Sequence, residues 1–335
     1  MIEIKQSHPE SLWRFLCPGI ITLLLAWTLA MPAAADVAQE SAEVANPGTE
    51  LWREVRQRGG PVEGVTQVRG VDAGTLINVN GQAWRQLRVE KVIPYSGYLL
   101  GAKLLALAAF RLIRGEMKIE AGRSGKRVLR FSLSQRIVHW TVAVLFVVLG
   151  ITGLMLLLGR TLLLPYIGSG GFAVIASISK TLHNYGGPVF SVALLCMLFS
   201  FIRGNFYQLK DIQWFASGGG MLGKHASAGR YNAGEKSWFW MAILGGAVVV
   251  ASGLVLDFPL FDQTRETMQL AQIIHVIAGV VLLVASLGHI YMGTIAMEGA
   301  LETMTSGYCD SNWAKEHHDE WYEEVKNSEE PSQPG

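Results

Sequence analysis

The sequence predicts an all-α membrane protein, a four-helix transmembrane bundle preceded by one extra transmembrane helix. Half of the 335 residues are hydrophobic and only 16% are charged, whereas an average soluble domain has about 25% charged residues. Five apolar blocks are long enough to cross a bilayer, which takes about 20 helical residues. These blocks are 95–113, 137–158, 179–202, 238–257 and 270–297. They are expected to be helices because backbone polar groups in lipid must be hydrogen-bonded internally.

The first 35 residues are typical of a secretion signal. Lys5 and Arg14 flank a short apolar run that ends in Ala33-Ala34-Ala35, as a signal peptide with a small-residue cleavage site does. We predict cleavage after Ala35, with a retained membrane anchor as the alternative. Residues 36–93 would then form a periplasmic extension, with a short strand within 75–81 and a turn at Asn80-Gly81.

Basic residues between the apolar blocks predict the orientation in the bacterial inner membrane. The linkers 114–136 and 203–236 are rich in Lys and Arg, whereas the two linkers on the other side hold only Arg160, Lys180 and Arg265. The positive-inside rule places the basic linkers in the cytoplasm. The expected segments are an extra transmembrane helix at 94–114, a basic cytoplasmic linker at 115–135, the four-helix domain at 136–298 and a cytoplasmic tail at 299–335.

Two features of the charge pattern indicate which binding partners to expect. The net charge of +1 gives no electrostatic footprint for nucleic acid. Lys103 lies near the middle of the first apolar block, where a buried amine is costly. It is expected to face protein, to snorkel, or to meet a carboxylate of another chain; helix tilt that carries it to an interface is an equal alternative.

Four of the eight histidines lie within the four later apolar blocks: His139, His183, His275 and His289. His275 and His289 are 14 positions apart (289 − 275), which is roughly 21 Å of rise and nearly four turns of one helix. They therefore lie on almost the same face. The predicted topology pairs His139 with His289 towards the cytoplasm and His183 with His275 towards the outside. A lone membrane histidine is more often a hydrogen-bonded core residue, but four in two pairs need a shared explanation.

Two imidazoles from different helices at each depth are the ligands of a b-type haem with both axial positions filled. The sequence therefore predicts a dihaem cytochrome b that only exchanges electrons. Zinc fits less well, because each pair lacks the further ligands of a tetrahedral site. Cys17, Cys196 and Cys309 form no CxxC pair, which disfavours an iron–sulfur cluster held by this chain alone. The other function classes are a non-redox membrane anchor and a transporter or channel with a histidine proton relay.

Glycines near the histidines would let a flat macrocycle approach the backbone, although ordinary helix packing explains any single one. These glycines are Gly150, Gly153, Gly186, Gly187, Gly279 and Gly288.

Several motifs resemble the gamma (cytochrome b) subunit of membrane-bound respiratory formate dehydrogenase, in its longer branch with an N-terminal extension. The histidine motifs are shared with the cytochromes b of hydrogenase and thiosulfate reductase, which remain alternatives. The Tyr231-Asn-Ala-Gly234 and Trp313-Ala-Lys-Glu-His-His318 segments are more specific to the formate dehydrogenase branch. The matching stretches are Arg130-Phe131, Arg136-Ile-Val-His-Trp140, Leu182-His-Asn-Tyr-Gly-Gly187, Gly229 to Lys236, Ile274-His-Val-Ile-Ala-Gly279, Gly288-His-Ile-Tyr-Met292 and Trp313 to Glu323.

The resemblance implies two partner chains, an iron–sulfur beta subunit and a catalytic alpha subunit with a molybdenum or tungsten pterin. Electrons from formate would reach the outer haem, and the inner haem would reduce quinone on the cytoplasmic side. The family's Asn-Ala-Gly-Gln segment helps form the quinone pocket, which carries over to Asn232, Gly234 and Glu235. Glu235 replaces the usual Gln, so it is either a proton carrier or part of a plain loop and helix start. His317 and His318 match the motif but lie outside the apolar blocks, so they are not expected to be haem ligands. They could pack against the inner face of the bundle or lie near the quinone site.

Overall fold

The computed structural model describes residues 78, 80–219, 227–259 and 262–331. The predicted signal peptide, most of the predicted periplasmic extension and most of the predicted strand within 75–81 lie outside these residues. Residue 80 is a turn, but Gly81 begins a helix. The described helices are α1 (Gly81–Arg114), α2 (Leu133–Leu162), α3 (Leu164–Phe201), α4 (Leu209–Ala216), α5 (Ala233–Asp257), α6 (Arg265–Ala296), α7 (Ala300–Thr305), α8 (Ser311–His317) and α9 (Asp319–Val325).

Five of these helices, α1, α2, α3, α5 and α6, are long and apolar enough to span a membrane. The predicted all-α membrane fold of four helices plus one extra N-terminal helix is confirmed. The helices are longer than the apolar blocks, because helical hydrogen bonding continues into the residues that flank each block. Helix α1 begins at Gly81 and so includes residues predicted to belong to the extension. Helix α3 begins at Leu164 and is kinked at Gly168, whose φ is 70°.

The spanning helices pack in two pairs. Helix α2 lies along α3 and α5 lies along α6, and the two pairs meet mainly through α3 and α5. Helices α2 and α6 touch each other only slightly, and α1 packs along α6 and also reaches α2. Helix α1 therefore lies over the side of the bundle where α2 and α6 face each other. An aromatic-rich cluster forms the core between the pairs: Phe131, Phe190, Leu194, Phe201, Tyr231, Phe239 and Ile243.

A small sheet joins the linker after α1 to the C-terminal tail. Strand β1 (Lys126–Leu129) pairs antiparallel with both β2 (Tyr308–Asp310) and β3 (Glu330–Pro331), in the order β2-β1-β3. In the register, Arg127 lies opposite Asp310 and Val128 lies opposite Cys309. Periodicity in the sequence did not predict this sheet, because its strands are two to four residues long.

Residues 116–131 and 297–331 thus form one folded unit, which we call the end cap, at what we call the basic end of the bundle. Its core contains Ile119, Val128, Cys309, Trp313, Ala314 and Trp321. Gly307 has a φ of 91°, and its carbonyl accepts hydrogen bonds from the amides of Arg130 and Phe131. A Cβ atom there would lie 2.7 Å from the Phe131 carbonyl oxygen, so this turn requires glycine. Burial raises the pKa of the Cys309 thiol to about 12, which makes it unreactive at neutral pH.

Candidate functional site

The structure brings the four membrane histidines together in the two predicted pairs. The ring centroids of His183 (α3) and His275 (α6) are 6.0 Å apart, and those of His139 (α2) and His289 (α6) are 6.3 Å apart. His139 follows the start of α2 at the basic end, and His289 precedes the end of α6 there, so this pair is the one nearer the end cap. Each pair draws its two imidazoles from different helices.

The His183–His275 pair is held by hydrogen bonds on Nδ1. The Thr152 hydroxyl donates to the Val148 carbonyl at 2.8 Å, so it accepts from His183 Nδ1, which lies 2.9 Å away. His275 Nδ1 lies 3.0 Å from the Val249 carbonyl oxygen and therefore donates to it. Both rings then carry their proton on Nδ1, which leaves the lone pair of Nε2 available to a metal.

A repeated tripeptide on α2 and α5 builds these two environments. Thr152-Gly153-Leu154 and Ser252-Gly253-Leu254 place a hydroxyl and a glycine beside a histidine of the neighbouring helix, since Ser252 Oγ lies 3.2 Å from His275 Nδ1. A Cβ atom on Gly153 would lie 3.1 Å from His183 Cε1, and one on Gly253 would lie 3.0 Å from His275 Cε1. Thr152, Ser252 and Gly253 were not among the residues predicted from the sequence. The repeat of a hydroxyl residue before Gly-Leu was the signal that could have found them.

The His139–His289 pair is positioned by aromatic rings instead. The indole of Trp238 (α5) is stacked on His289, with ring centroids 4.6 Å apart and an interplanar angle of 13°. Trp140 packs edge-on against His139 and donates its indole N–H to the Met304 carbonyl in the end cap at 2.9 Å. His139 Nδ1 is buried with no hydrogen-bond partner among the described residues. This pair therefore depends on packing between α2, α5, α6 and the end cap.

Both pairs fit a metal bound by one imidazole from each of two helices. A metal–imidazole bond is about 2 Å long, and the ring centroid lies about 1 Å beyond the nitrogen, so two such rings have centroids about 6 Å apart. The observed separations, 6.0 and 6.3 Å, match this value. The Nδ1 hydrogen bonds of the His183–His275 pair are the outer-shell contacts that orient metal-bound imidazoles.

The residues predicted to line a quinone pocket lie together at the start of α5. Asn232 is the N-cap of α5: its Oδ1 accepts from the Glu235 amide at 2.9 Å, and Glu235 Oε2 accepts from the Asn232 amide at 3.1 Å. Trp214 of α4 covers Gly234, where a Cβ atom would lie 2.9 Å from Trp214 Cη2. Trp238 follows one turn later and reaches His289. The start of α5 is thus joined to the His139–His289 pair through one indole.

Arg130 links this helix start to the end cap. Its Nη2 lies 3.0 Å from both carboxylate oxygens of Glu235, and it donates to the Arg230 carbonyl at 2.9 Å. Nη2 also lies 2.9 Å from His318 Nε2. Because a guanidinium cannot accept, His318 Nε2 must accept and His318 Nδ1 donates to the Gly229 carbonyl at 2.9 Å. The sequence left open whether Glu235 starts the helix or carries protons, and the structure gives its side chain a capping role and a guanidinium partner.

His318 is expected to make the end cap sensitive to acid. Burial, followed by the charge of Arg130, holds the pKa of this fully buried imidazole well below its usual range. The unfolded state is protonated first as the pH falls through about 6.5, so stability is full above that pH and declines below it. The apparent unfolding temperature in detergent should therefore fall between pH 7.5 and 5.5 in the wild type and fall less in His318→Gln. His317→Gln should keep the wild-type decline; an unchanged decline in His318→Gln would contradict the assignment.

Thr152 is expected to help hold the His183–His275 pair. Thr152→Val removes the hydroxyl that accepts from His183 Nδ1 at 2.9 Å, whereas Thr152→Ser keeps a hydroxyl at this position. Loss of an outer-shell partner typically costs 10- to 100-fold in metal affinity. Haem retention through purification, measured as haem per chain, should fall in Thr152→Val and stay near the wild-type value in Thr152→Ser. Equal loss in both variants would contradict the role of the hydroxyl.

Comparison with known families shows which family the chain belongs to. The profile of the prokaryotic cytochrome b561 family matches residues 130–307, which is more than half of the 335 residues and includes all four paired histidines. The chain belongs to the prokaryotic cytochrome b561 family. Members of this family are b-type haem proteins of the membrane, so the predicted cytochrome b character is confirmed, and the paired histidines lie inside the part of the chain that the family defines.

Characterised relatives are subunits of one kind of complex. The chain is 30% identical over 216 residues to the cytochrome b556 subunit of the nitrate-inducible formate dehydrogenase of Escherichia coli K12, covering 61% of this chain and 94% of that protein. A second cytochrome b556 subunit of formate dehydrogenase in the same strain is 28% identical over 208 residues, 61% of this chain and 95% of that protein. The formate dehydrogenase cytochrome b556 subunit of Haemophilus influenzae is 25% identical over 205 residues, 59% of this chain and 83% of that protein. The predicted resemblance is confirmed.

Proposed function

We propose that this chain is the cytochrome b subunit of a membrane-bound formate dehydrogenase, and that it carries electrons from formate oxidation through two b-type haems to quinone. The observation that carries the proposal is the pair of histidine pairs with ring separations of 6.0 and 6.3 Å, inside a chain that matches nearly the whole length of formate dehydrogenase cytochromes b. The cytochromes b of hydrogenase and thiosulfate reductase are the alternatives.

The four imidazoles would hold the two haems through Nε2, with His183 and His275 at one and His139 and His289 at the other. A haem bound by two histidines would supply one-electron exchange and would leave no open position for a substrate. His183 Nδ1 donates to the Thr152 hydroxyl, and His275 Nδ1 donates to the Val249 carbonyl. These hydrogen bonds fix the orientation of each ring and so the direction of the Nε2 lone pair. The Trp238 ring, stacked on His289, excludes water from the inner pair on its α5 side.

The quinone would bind at the start of α5, beside the inner pair. Gly234 and Glu235 precede Trp238, which contacts His289, by about one helical turn, and Asn232 precedes them as the N-cap. The cap of α5 uses only the side-chain oxygen of Asn232, which accepts from the Glu235 amide. The side-chain nitrogen of Asn232 is therefore free to donate to a quinone carbonyl. The Glu235 carboxylate accepts from Arg130 and has 36% of its side chain exposed, so it can exchange a proton with water. Glu235 is therefore the proposed proton carrier of the site, held in place by Arg130.

The proposed orientation puts the basic end and the end cap in the cytoplasm. The linkers at this end carry most of the basic residues of the chain between spans. The iron–sulfur beta subunit and the molybdenum- or tungsten-pterin alpha subunit would then bind at the opposite, periplasmic end, beside the His183–His275 pair. The large apolar side chains exposed on the spanning helices, such as Leu105 and Leu112, would face lipid.

Asn232→Ala is expected to leave both haems in place and to slow their reoxidation by quinone. The alanine removes the N-cap, which costs about 0.5–2 kcal/mol, and also removes the amide donor. Asn232→Ser is the matched control, because a serine oxygen can still cap the helix without an amide. Stopped-flow reoxidation should be slow in both variants if the amide binds quinone. Reoxidation at the wild-type rate in Asn232→Ser would show that the Asn232 amide does not bind quinone.

Co-purification with a formate–quinone activity assay tests the proposed function as a whole. A tagged chain should bring down an iron–sulfur protein and a pterin protein, and the complex should reduce a quinone analogue with formate. Activity with hydrogen or thiosulfate in place of formate would assign the chain to one of the alternatives.

A further inference from the structure

Lys103 lies beside the inner histidine pair although it belongs to the extra helix. A Cβ atom on Gly288 would lie 3.1 Å from Lys103 Nζ and 3.5 Å from Lys103 Cε, so the ammonium occupies space that glycine leaves on α6. Gly288 directly precedes His289 in the sequence. The ammonium is therefore at the depth of the His139–His289 pair.

This depth is well inside the membrane. Lys103 precedes Arg114, the last residue of α1, by 11 positions (114 − 103), which is about 16 Å along the helix axis. Helices α1 and α6 run in the same direction, since Phe110 packs on Tyr291 and Met117 pairs with Met297 nearer the basic end. Arg111 and Arg114 already mark that end. Lys103 is thus held at the inner-pair depth by helix packing.

A charge at this depth needs a partner. A lysine at the centre of a membrane helix costs about 2.5–3.5 kcal/mol, and the cost is offset when an anion pairs with it. Within residues 80–219, 227–259 and 262–331, no carboxylate forms an ion pair with Lys103. An anion from outside this part of the chain would offset that cost.

The place where α1 packs points to the source of that anion. Helices α2 and α6 carry His139 and His289 but touch each other only slightly, and α1 packs along α6 and touches α2 slightly. A haem held by these two histidines would lie between α2 and α6, next to α1. Haem b carries two propionate carboxylates, which are anions of the charge that would offset a lysine.

We propose that Lys103 is the counter-ion of a propionate of the inner haem and that α1 closes the side of the bundle where this haem sits. This inference rests on the proposed function, because it requires a haem between His139 and His289. The ammonium neutralises a negative charge that would otherwise stabilise ferric iron. Lys103 is therefore a positioning residue that raises the midpoint potential of the inner haem relative to the same haem without it.

Redox titration of the purified holoprotein tests the proposal. Lys103→Met removes the charge, keeps an apolar chain of similar length against Gly288 and favours membrane insertion. It should lower the midpoint potential of one haem and leave the other unchanged, with two haems still bound. Lys103→Arg should keep the wild-type potentials. Lys91→Gln, which removes an exposed lysine from the opposite end of α1, is the matched control and should also keep them.

The outcomes separate this inference from the proposed function. Two haems with unchanged midpoint potentials in Lys103→Met would overturn the counter-ion role. An equal shift of both midpoint potentials would also overturn it, because that result would indicate a long-range electrostatic effect rather than a contact with one haem. Absence of b-type haem from the wild-type protein would instead overturn the proposed function itself. A lowered potential that Lys103→Arg restores is the result the proposal requires.

Discussion

Replacing His183 or His275 by alanine is expected to remove the same single haem. The two rings come from α3 and α6 and lie 6.0 Å apart, so under the proposed function both would hold the same haem. Removal of either ring would leave only one imidazole to hold that haem. Haem per chain should fall from two to one in each variant, and the remaining absorption band should be the same in both.

The complementary pair provides the internal control. His139→Ala and His289→Ala should remove the other haem and leave the band that His183→Ala loses. His317→Ala should retain both haems, because His317 lies in the end cap, outside the spanning helices. If His183→Ala and His275→Ala removed different haems, the pairing derived from ring distances would be wrong.

Replacing Lys236 by methionine is expected to destabilise the basic end by about 3–5 kcal/mol, the cost of breaking a buried ion pair by removing one partner. Lys236 Nζ lies 3.0 and 2.8 Å from the two carboxylate oxygens of Asp211, with side chains only 3% and 6% exposed. The variant would leave the Asp211 carboxylate buried without its cation. Because Asp211 fixes α4 against α5, Trp214 would also lose its position over Gly234.

The measurement is the apparent unfolding temperature in detergent, together with the quinone reoxidation rate. The double variant Lys236→Met, Asp211→Leu should recover much of the lost stability, since an apolar pair can replace a buried ion pair. Lys210→Met is the matched control on α4, because Lys210 pairs with Glu320 at a more exposed position, 26% and 44%, where such pairs contribute about 0–1 kcal/mol. A double variant as unstable as Lys236→Met would show that the charge pair is not the cause.

The parts of the molecule governed by helix periodicity could be predicted from the sequence. The spacing of His275 and His289 gives their shared face directly, because a helix has a fixed rise and turn. Given the order and direction of the helices, the partners His183 and His139 follow from depth alone. The ring distances of 6.0 and 6.3 Å agree with that arrangement.

Contacts that depend on how helices rotate against each other could not be predicted. The Thr152 hydroxyl contacts His183 only because α2 and α3 pack with those faces together. The residue pattern of a single helix does not predict how that helix is rotated about its axis relative to its neighbour. Lys103 was recognisable as an anomaly, but its neighbour Gly288 follows from the packing of α1 on α6.

The end cap shows a second limit. Arg130 and His318 are 188 positions apart, and the sheet that brings them together consists of strands two to four residues long. Such strands are too short for alternation to be recognised. The sequence marked Glu235 as unusual, but its guanidinium partner became apparent only when the tail was seen to fold back on the linker.

The central claim is that four helices of this chain hold two haems, each between two histidines. Low-temperature electron paramagnetic resonance of the oxidised, purified chain, with haem quantified on the same sample, tests it most directly. We expect two haems per chain, both low-spin, because iron bound by two imidazoles is low-spin. A single haem, a high-spin haem with an open axial position, or no haem would contradict it.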